Sequence, residues 1–246
     1  MRHPFLRSAV LGLGFASFLL CAGGGTAWAE EGAGAPGSAE VAGHLLRDVW
    51  FNVSGNEVHH LLSGTNHLST TPAETVLQEG ACSPINRANN YGQRLRGYIT
   101  IPETGDYRFY VVSDDRSQLW VSESGTKWDK RLVANCHFAA SAGQWTRFAG
   151  QESKLLHLEA GQKLYVEALH QEASGGDLVQ IGWKRPNASE PEQVPMSVLS
   201  SYVYDANDQD DDGLPDDWET LHGLDSTDNG SGESRNGWLG VNNSAG

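Results

Sequence analysis

The stretch that most limits what this chain can fold into is residues 94–121, RLRGYITIPETGDYRFYVVSDDRSQLWV. Two alternating runs, 98–101 and 107–112, flank Pro102-Glu103-Thr104-Gly105-Asp106. A proline with fixed φ, a glycine free to take any φ and an aspartate that bonds its own backbone suit a turn, so the pattern predicts a β-hairpin. A third run, 118–121, follows Ser113-Asp114-Asp115-Arg116-Ser117 at once, which puts two adjacent carboxylates at the tip of a tight connection. Carboxylates crowded in this way repel unless a cation lies between them, and the hard cation that takes several such oxygens is calcium. A turn closed by its own backbone hydrogen bonds is the alternative for the pair alone.

The same grammar of short runs and punctuation continues along the chain. Residues 48–51 form an early run, 155–158 and 163–170 suggest a second hairpin about the turn at 159–162, and 179–183 resume after Ser174-Gly175-Gly176-Asp177. Within 163–170, Leu164, Val166 and Ala168 face one way and Tyr165, Glu167 and Leu169 the other. Glu167 there suits a satisfied, partly buried carboxylate. Residues 126–144 are polar and predict a long connection. Such short runs with almost no helical period predict an all-β sandwich or barrel, and about 155 residues suffice for one core.

The first 29 residues have the marks of an export signal: Arg2 and Arg7, an apolar run at 9–22, then Ala27-Trp28-Ala29. Its apolar run falls short of the roughly 20 residues a membrane span needs, and no other stretch is apolar enough to cross a bilayer. Residues 30–44 are small and polar and predict a flexible leader. Without the signal, 15 basic residues face 31 acidic ones, and 11 of the acids fall in 205–233, where there is no Lys or Arg. Such a block repels nucleic acid and attracts cations. Cys82 and Cys136 remain as an even pair, which in an exported chain suggests a disulfide. Two free thiols are the competing reading. His59, His60 and His67 lack the carboxylate or cysteine partners of a metal set and suit a solvated face.

Six blocks in order resemble the PA-14 domain, the β-rich module of anthrax protective antigen, yeast flocculins and bacterial adhesins. They are Arg94-x-Arg96-Gly97-Tyr98-Ile99, Pro102-x-Thr104-Gly105-Asp106-Tyr107-x-Phe109, Ser113-Asp114-Asp115-x-Ser117-x-Leu119-Trp120, Leu158-x-Ala160-Gly161, Tyr165-x-Glu167-Ala168-Leu169-His170 and Gly175-Gly176-Asp177. The resemblance spans residues 45–202 and implies an all-β, PA-14-type sandwich or barrel. In its sugar-binding members an Asp pair and a second loop hold calcium, which takes vicinal hydroxyls of a carbohydrate. By position this implies Asp114, Asp115 and Asp177 as ligands, with a cis peptide within the pair as a hypothesis. Trp120 and Trp183 sit in strand runs and suit the core, which leaves Trp128 and Trp145, in connections, as candidates to stack on a sugar.

Residues 203–246 carry a second candidate. Asp208-Gln209-Asp210-Asp211-Asp212-Gly213 with Leu214, Asp216 and Glu219 fits the calcium-loop spacing D-x-D-x-D-G-x5-E. Asp208, Asp210, Asp212, Asp216 and Glu219 would offer side-chain oxygens and Leu214 its carbonyl. Pro215 opens and Gly223 stops a short helix. The half-hand resembles thrombospondin type 3-like repeats. Together these readings predict a secreted, calcium-dependent carbohydrate-binding or adhesin module without catalytic residues, whose partners are glycans and other surface proteins. The alternative is a spacer or accessory domain of a longer surface protein or glycosidase. No G-x-S-x-G, HExxH or P-loop is present.

Overall fold

The computed structural model describes residues 35–63, 68, 70–208, 210–211 and 214–227. In chain order the elements are β1 (His44–Phe51), α1 (Val58–Ser63), β2 (Glu74–Glu79), β3 (Tyr91–Thr100), β4 (Gly105–Asp114), β5 (Arg116–Ser122), β6 (Arg131–Cys136), β7 (Leu156–Leu158), β8 (Lys163–Glu172), β9 (Leu178–Lys184), β10 (Glu192–Gln193), β11 (Leu199–Ser201) and α2 (Asp216–His222). Two antiparallel sheets result. One has the order β2-β1-β3-β8-β5-β6 with β11 also on β3, and the other has the order β10-β9-β4-β7. The fold is an open all-β sandwich and not a closed barrel.

Neither expected hairpin forms. β3 pairs with β1, β8 and β11, whereas β4 pairs with β9 and β7, so the turn at 102–106 carries the chain from one sheet to the other. β7 likewise pairs with β4 and not with β8. The reason is packing: Ile99 and Ile101 before the first turn, and Tyr107 and Phe109 after it, all enter one core and are at most 1 % exposed. A hairpin would set these residues side by side in one sheet, while an arch sets them face to face. Gly105 turns the corner at φ 154°, where a Cβ would meet Pro186 at 2.5 Å.

The main core fills the space between the sheets, with Leu95, Ile99, Leu119, Val166 and Ala168 against Phe109, Val111, Val179, Ile181 and Trp183. Each Val, Leu, Ile or Phe among them contributes roughly 1.5–3 kcal/mol on burial. The alternation expected along β8 is present, because Leu169 packs outward with Trp50 and Leu61, and Tyr165 with Leu46 and Tyr202. Both faces of the larger sheet are therefore covered, by α1 on one part and by the segment after β11 on another. Gly97 on β3 admits β11, since a Cβ there would stand 2.4 Å from the Ser200 carbonyl oxygen.

Several sequence expectations change. Residues 126–144 contain β6, which completes the edge of the larger sheet beside β5. Residues 37–43 are bonded rather than loose: Tyr204 N donates to Gly37 O, Ser201 N to Val41 O and Gly43 N to Leu199 O. Cys136 is a free, buried thiol, so the expected Cys82–Cys136 bridge does not form. The Cys136 Sγ donates to Phe138 O at 3.2 Å from within the larger sheet, while Cys82 bridges to Gln180 of the smaller one. The expected signal at 1–29 and His67 lie outside the described residues. Among the described residues no helix is long and apolar enough to cross a membrane.

Candidate metal and ligand site

Where β4 gives way to β5 the chain changes sheets at Asp115, and the Asp114–Asp115 peptide is cis. This crossing brings Glu172, the last residue of β8, up to the pair: carboxylate oxygens of Asp114, Asp115 and Glu172 lie within 4.8 Å of one another. Glu172 is 0 % exposed. Its Oε2 accepts from Asp115 N at 3.0 Å. Its Oε1 is buried and has no hydrogen-bond partner among the described residues. Burial first, then the charges of Asp115 and Asp114, push the Glu172 acid up to about 8. Burial and the charges of Asp115 and Asp177 also raise Asp114. Three oxygen-donor groups that cannot all ionise comfortably together need a proton or a cation among them.

A buried chain of polar groups fixes the pair from behind. His170 Nε2 lies 2.7 Å from Asp114 O, and its Nδ1 lies 2.9 Å from Gln93 Nε2. Burial holds His170 down to about 4, so the ring is neutral. A carbonyl can only accept and an amide NH₂ can only donate, so the proton sits on Nε2. Gln93 Nε2 also donates to Tyr91 Oη at 3.1 Å, and Tyr91 donates to Asp177 Oδ1 at 3.0 Å.

Asp177, expected as a third metal ligand, is not in the carboxylate group. Its Oδ2 accepts from Arg87 N at 2.6 Å and Ala88 N at 3.0 Å, so it braces the 86–88 turn. The loop it belongs to does reach the site. A Cβ on Gly176 would lie 3.5 Å from Asp114 Oδ2 and 3.2 Å from Asn86 Oδ1, so both oxygens border the space that this glycine leaves open. Glu172 and Asn86 are the site residues that sequence reasoning missed. Arg116 is engaged elsewhere, in a close ion pair with Glu57 and a 2.8 Å bond to His137 O.

The tryptophans separate. Trp183 is core at 1 % exposed and Trp145 is 9 % exposed, stacked over Gly182. Trp128 is 49 % exposed. It follows the far end of β5, however, and the acidic pair precedes the near end, so the structure does not bring Trp128 to Asp114.

In the tail, α2 and its left-handed stop at Gly223, φ 73°, agree with the loop-and-helix expectation. Asp208 is buried and Glu219 fully so, while Asp210, Leu214 and Asp216 line the same turn and Asp212 lies outside the described residues. Asp211, a non-ligand position of the motif, has a role the spacing did not foretell. With φ 62° it turns back to the sandwich and makes close ion pairs with Arg96 and Lys127, and it accepts from Tyr202 Oη at 2.8 Å. Although burial acts the other way, Arg96 and then Lys127 hold the Asp211 carboxyl well below the usual carboxylate range. Arg96 is 1 % exposed, stands 3.3 Å from Asp48 Oδ2, and lies over the Tyr202 ring at 4.1 Å.

Comparison with known proteins accords with this geometry. The PA14 domain model matches residues 69–197. The chain is 32 % identical over 154 residues to the mouse N-acetyl-beta-glucosaminyl-glycoprotein 4-beta-N-acetylgalactosaminyltransferase 1, covering 61 % of this chain and 15 % of that protein. It is 33 % identical over 138 residues to human Fibrocystin-L, covering 56 % of this chain and 3 % of that one. It thus spans a small part of the length of each relative. The solved PA14 domain of the MpAFP antifreeze protein superposes with a TM-score of 0.51 at 14 % identity, covering 70 % of this chain and 97 % of that structure. A family match over more than half of the sequence and a shared two-sheet fold lead to one conclusion: this chain belongs to the PA14 domain family.

Proposed function

We propose that the chain is a calcium-dependent carbohydrate-binding module of a secreted or surface protein, with Asp114, Asp115 and Glu172 as its ion site. Glu172 carries the reading: a fully buried carboxylate with one oxygen unpartnered among the described residues, beside two more carboxylates, is costly unless a cation joins them. The donor set is all oxygen, as calcium prefers. Bound calcium supplies open coordination positions that vicinal sugar hydroxyls can fill. The protein's part is to orient and to exclude. His170 holds the Asp114 carbonyl, Asp115 N holds Glu172, and Gly176 leaves room in front of Asp114. Nothing in this scheme makes or breaks a bond, so the module is a binder and not an enzyme.

The tail loop is a second calcium site in this proposal, supported by the burial of Asp208 and Glu219. Export is supported by the signal-like first 29 residues. The mouse relative is, by its name, a transferase that acts on a glycoprotein, which fits a glycan-binding module carried beside another activity.

Calcium titration by calorimetry, on wild type and on Glu172→Gln, tests the ion site: two classes of site are expected, and the variant loses one. A glycan array with and without calcium tests the ligand class, and Asp114→Asn should remove the calcium-dependent signals. If the wild-type protein takes up no calcium at millimolar concentration, the proposal is wrong. Uptake with thermal stabilisation but no glycan signal favours a stiffened spacer, a role to which the buried Asp211–Arg96 anchor is also suited.

A further inference from the structure

We propose a second ligand site, separate from the acidic cluster, that takes a neutral saccharide on the outer face of the larger sheet. A cavity of about 850 Å³ opens there, lined by Trp50, Trp120 and Trp128 together with Arg94, Lys127 and Lys130. That volume lies within the range of small-ligand pockets. Its floor is the outward row of the sheet, where Trp120 of β5 stands opposite Glu167 of β8. Asp211 and Lys127, already joined in a close ion pair, form one wall.

Two features fix the ligand class. The first is charge: each cation on the wall already has its anion. Arg94 pairs with Asp48 at 2.9 Å, Lys130 with Glu167 at 2.7 Å, and Lys127 with Asp211. Tyr165 Oη also donates to Glu167 at 2.6 Å, which closes that pair further. A charged ligand would have to displace one of these partners and leave a buried charge behind, which is expensive. A polyhydroxylated neutral ligand needs only the remaining protons and lone pairs.

The second feature is aromatic area. Trp120 and Trp128 border the cavity in front of the buried Trp50, and Trp128 stands half-exposed at its rim with the Lys127 ammonium 4.1 Å from its ring. An indole offers a flat apolar face with a polar edge, a shape that suits the C–H face of a sugar ring. The indole N–H of Trp120 is buried beneath the floor and has no partner among the described residues.

The two sites are independent. Trp120 lies five residues beyond Asp115 along β5, about 16 Å at the usual strand rise. Glu167 and Glu172 are an odd number of residues apart on β8 and so project to opposite faces of the sheet.

The test uses the full chain carrying Asp114→Asn, in calcium so that the tail loop is undisturbed. Lactose, maltose and cellobiose are titrated while the tryptophan indole N–H signals are followed by two-dimensional NMR. Shifts at Trp120 and Trp128, with millimolar affinity in at least one titration, are expected. Adding Trp128→Ala should weaken that affinity by roughly tenfold. Because Trp128 is half-exposed, the variant should keep the wild-type melting temperature. The proposal fails if none of the three disaccharides moves an indole signal, if Trp128→Ala leaves the affinity unchanged, or if glucuronic acid binds more tightly than the neutral sugars. Failure of the ion-site proposal would leave this test untouched, since Asp114→Asn has already removed that site.

Discussion

Metal-free protein should lose stability between pH 6.5 and 8, and calcium should restore it. The perturbed group is Glu172, raised from 4.5 to about 8 by burial and by Asp115 and Asp114. Between those values the folded chain holds a proton that the unfolded chain has released. Stability therefore falls as pH rises, by about 1.4 kcal/mol per pH unit at full effect. His170 works in the other direction, because burial lowers it from 6.5 to about 4 and the unfolded chain then holds the extra proton between those values. The two slopes offset each other from pH 4.5 to 6.5, and above 6.5 Glu172 acts without that opposition. The 1.5 pH units from there to 8 amount to about 2 kcal/mol, or roughly 4–8 °C in melting temperature for a domain of this size. His157, raised by its bond to Asp106 and fully exposed, adds a drift of the same sign, so a control is needed. Glu172→Gln supplies it. Thermal melts in chelator should slope steeply downward with pH for wild type, while the variant, and wild type in calcium, should keep only the shallower His157 drift. A flat wild-type profile in chelator, or a variant with the wild-type slope, would refute the assignment.

Three further outcomes follow from named contacts. Asp211→Asn removes the anion that Arg96 and Lys127 share, and should cost about 3 kcal/mol in urea unfolding while opening residues 205–227 to proteolysis. Gly97→Ala places a Cβ 2.4 Å from Ser200 O, a backbone atom that cannot swing aside, and should cost about 2 kcal/mol or more. Gly176→Val crowds Asp114 Oδ2 and Asn86 Oδ1 and should weaken calcium binding at the cluster roughly tenfold, with the tail site unchanged in the same titration.

The individual strands were largely legible in the sequence because alternation is local: β1, β4, β5, β8 and β9 lie where their runs predict them. Their partners were not. Whether residues on the two sides of a Pro/Gly turn meet side by side or face to face depends on what lies across the core, and no period reports that. The site divides in the same way. Adjacent carboxylates announce themselves, so Asp114 and Asp115 were found. Glu172 sits 57 residues after Asp115 at the end of a strand whose other residues signal only core, and only the β5–β8 pairing brings it in. Asp177 carried the motif position, but its oxygens were claimed by Tyr91 and the 86–88 turn. Cys82 and Cys136 were joined on parity, which says nothing about which sheet holds each cysteine; Cys136 is the free one.

The arches also set how the chain reaches its native state. Leu95 pairs with Ala168 across 73 residues and Val111 with Ile181 across 70, whereas the pairs made by strands adjacent in the chain, β1–β2, β5–β6 and β9–β10, lie at the sheet edges. Such a topology closes long loops before it gains contacts, so refolding should be slow and governed by a late, concerted docking of both sheets. A polypeptide with this wiring can zip its edge pairs locally, but the inner strands β3, β8, β4 and β9 stay exposed to one another and to other chains until the long crossings are made.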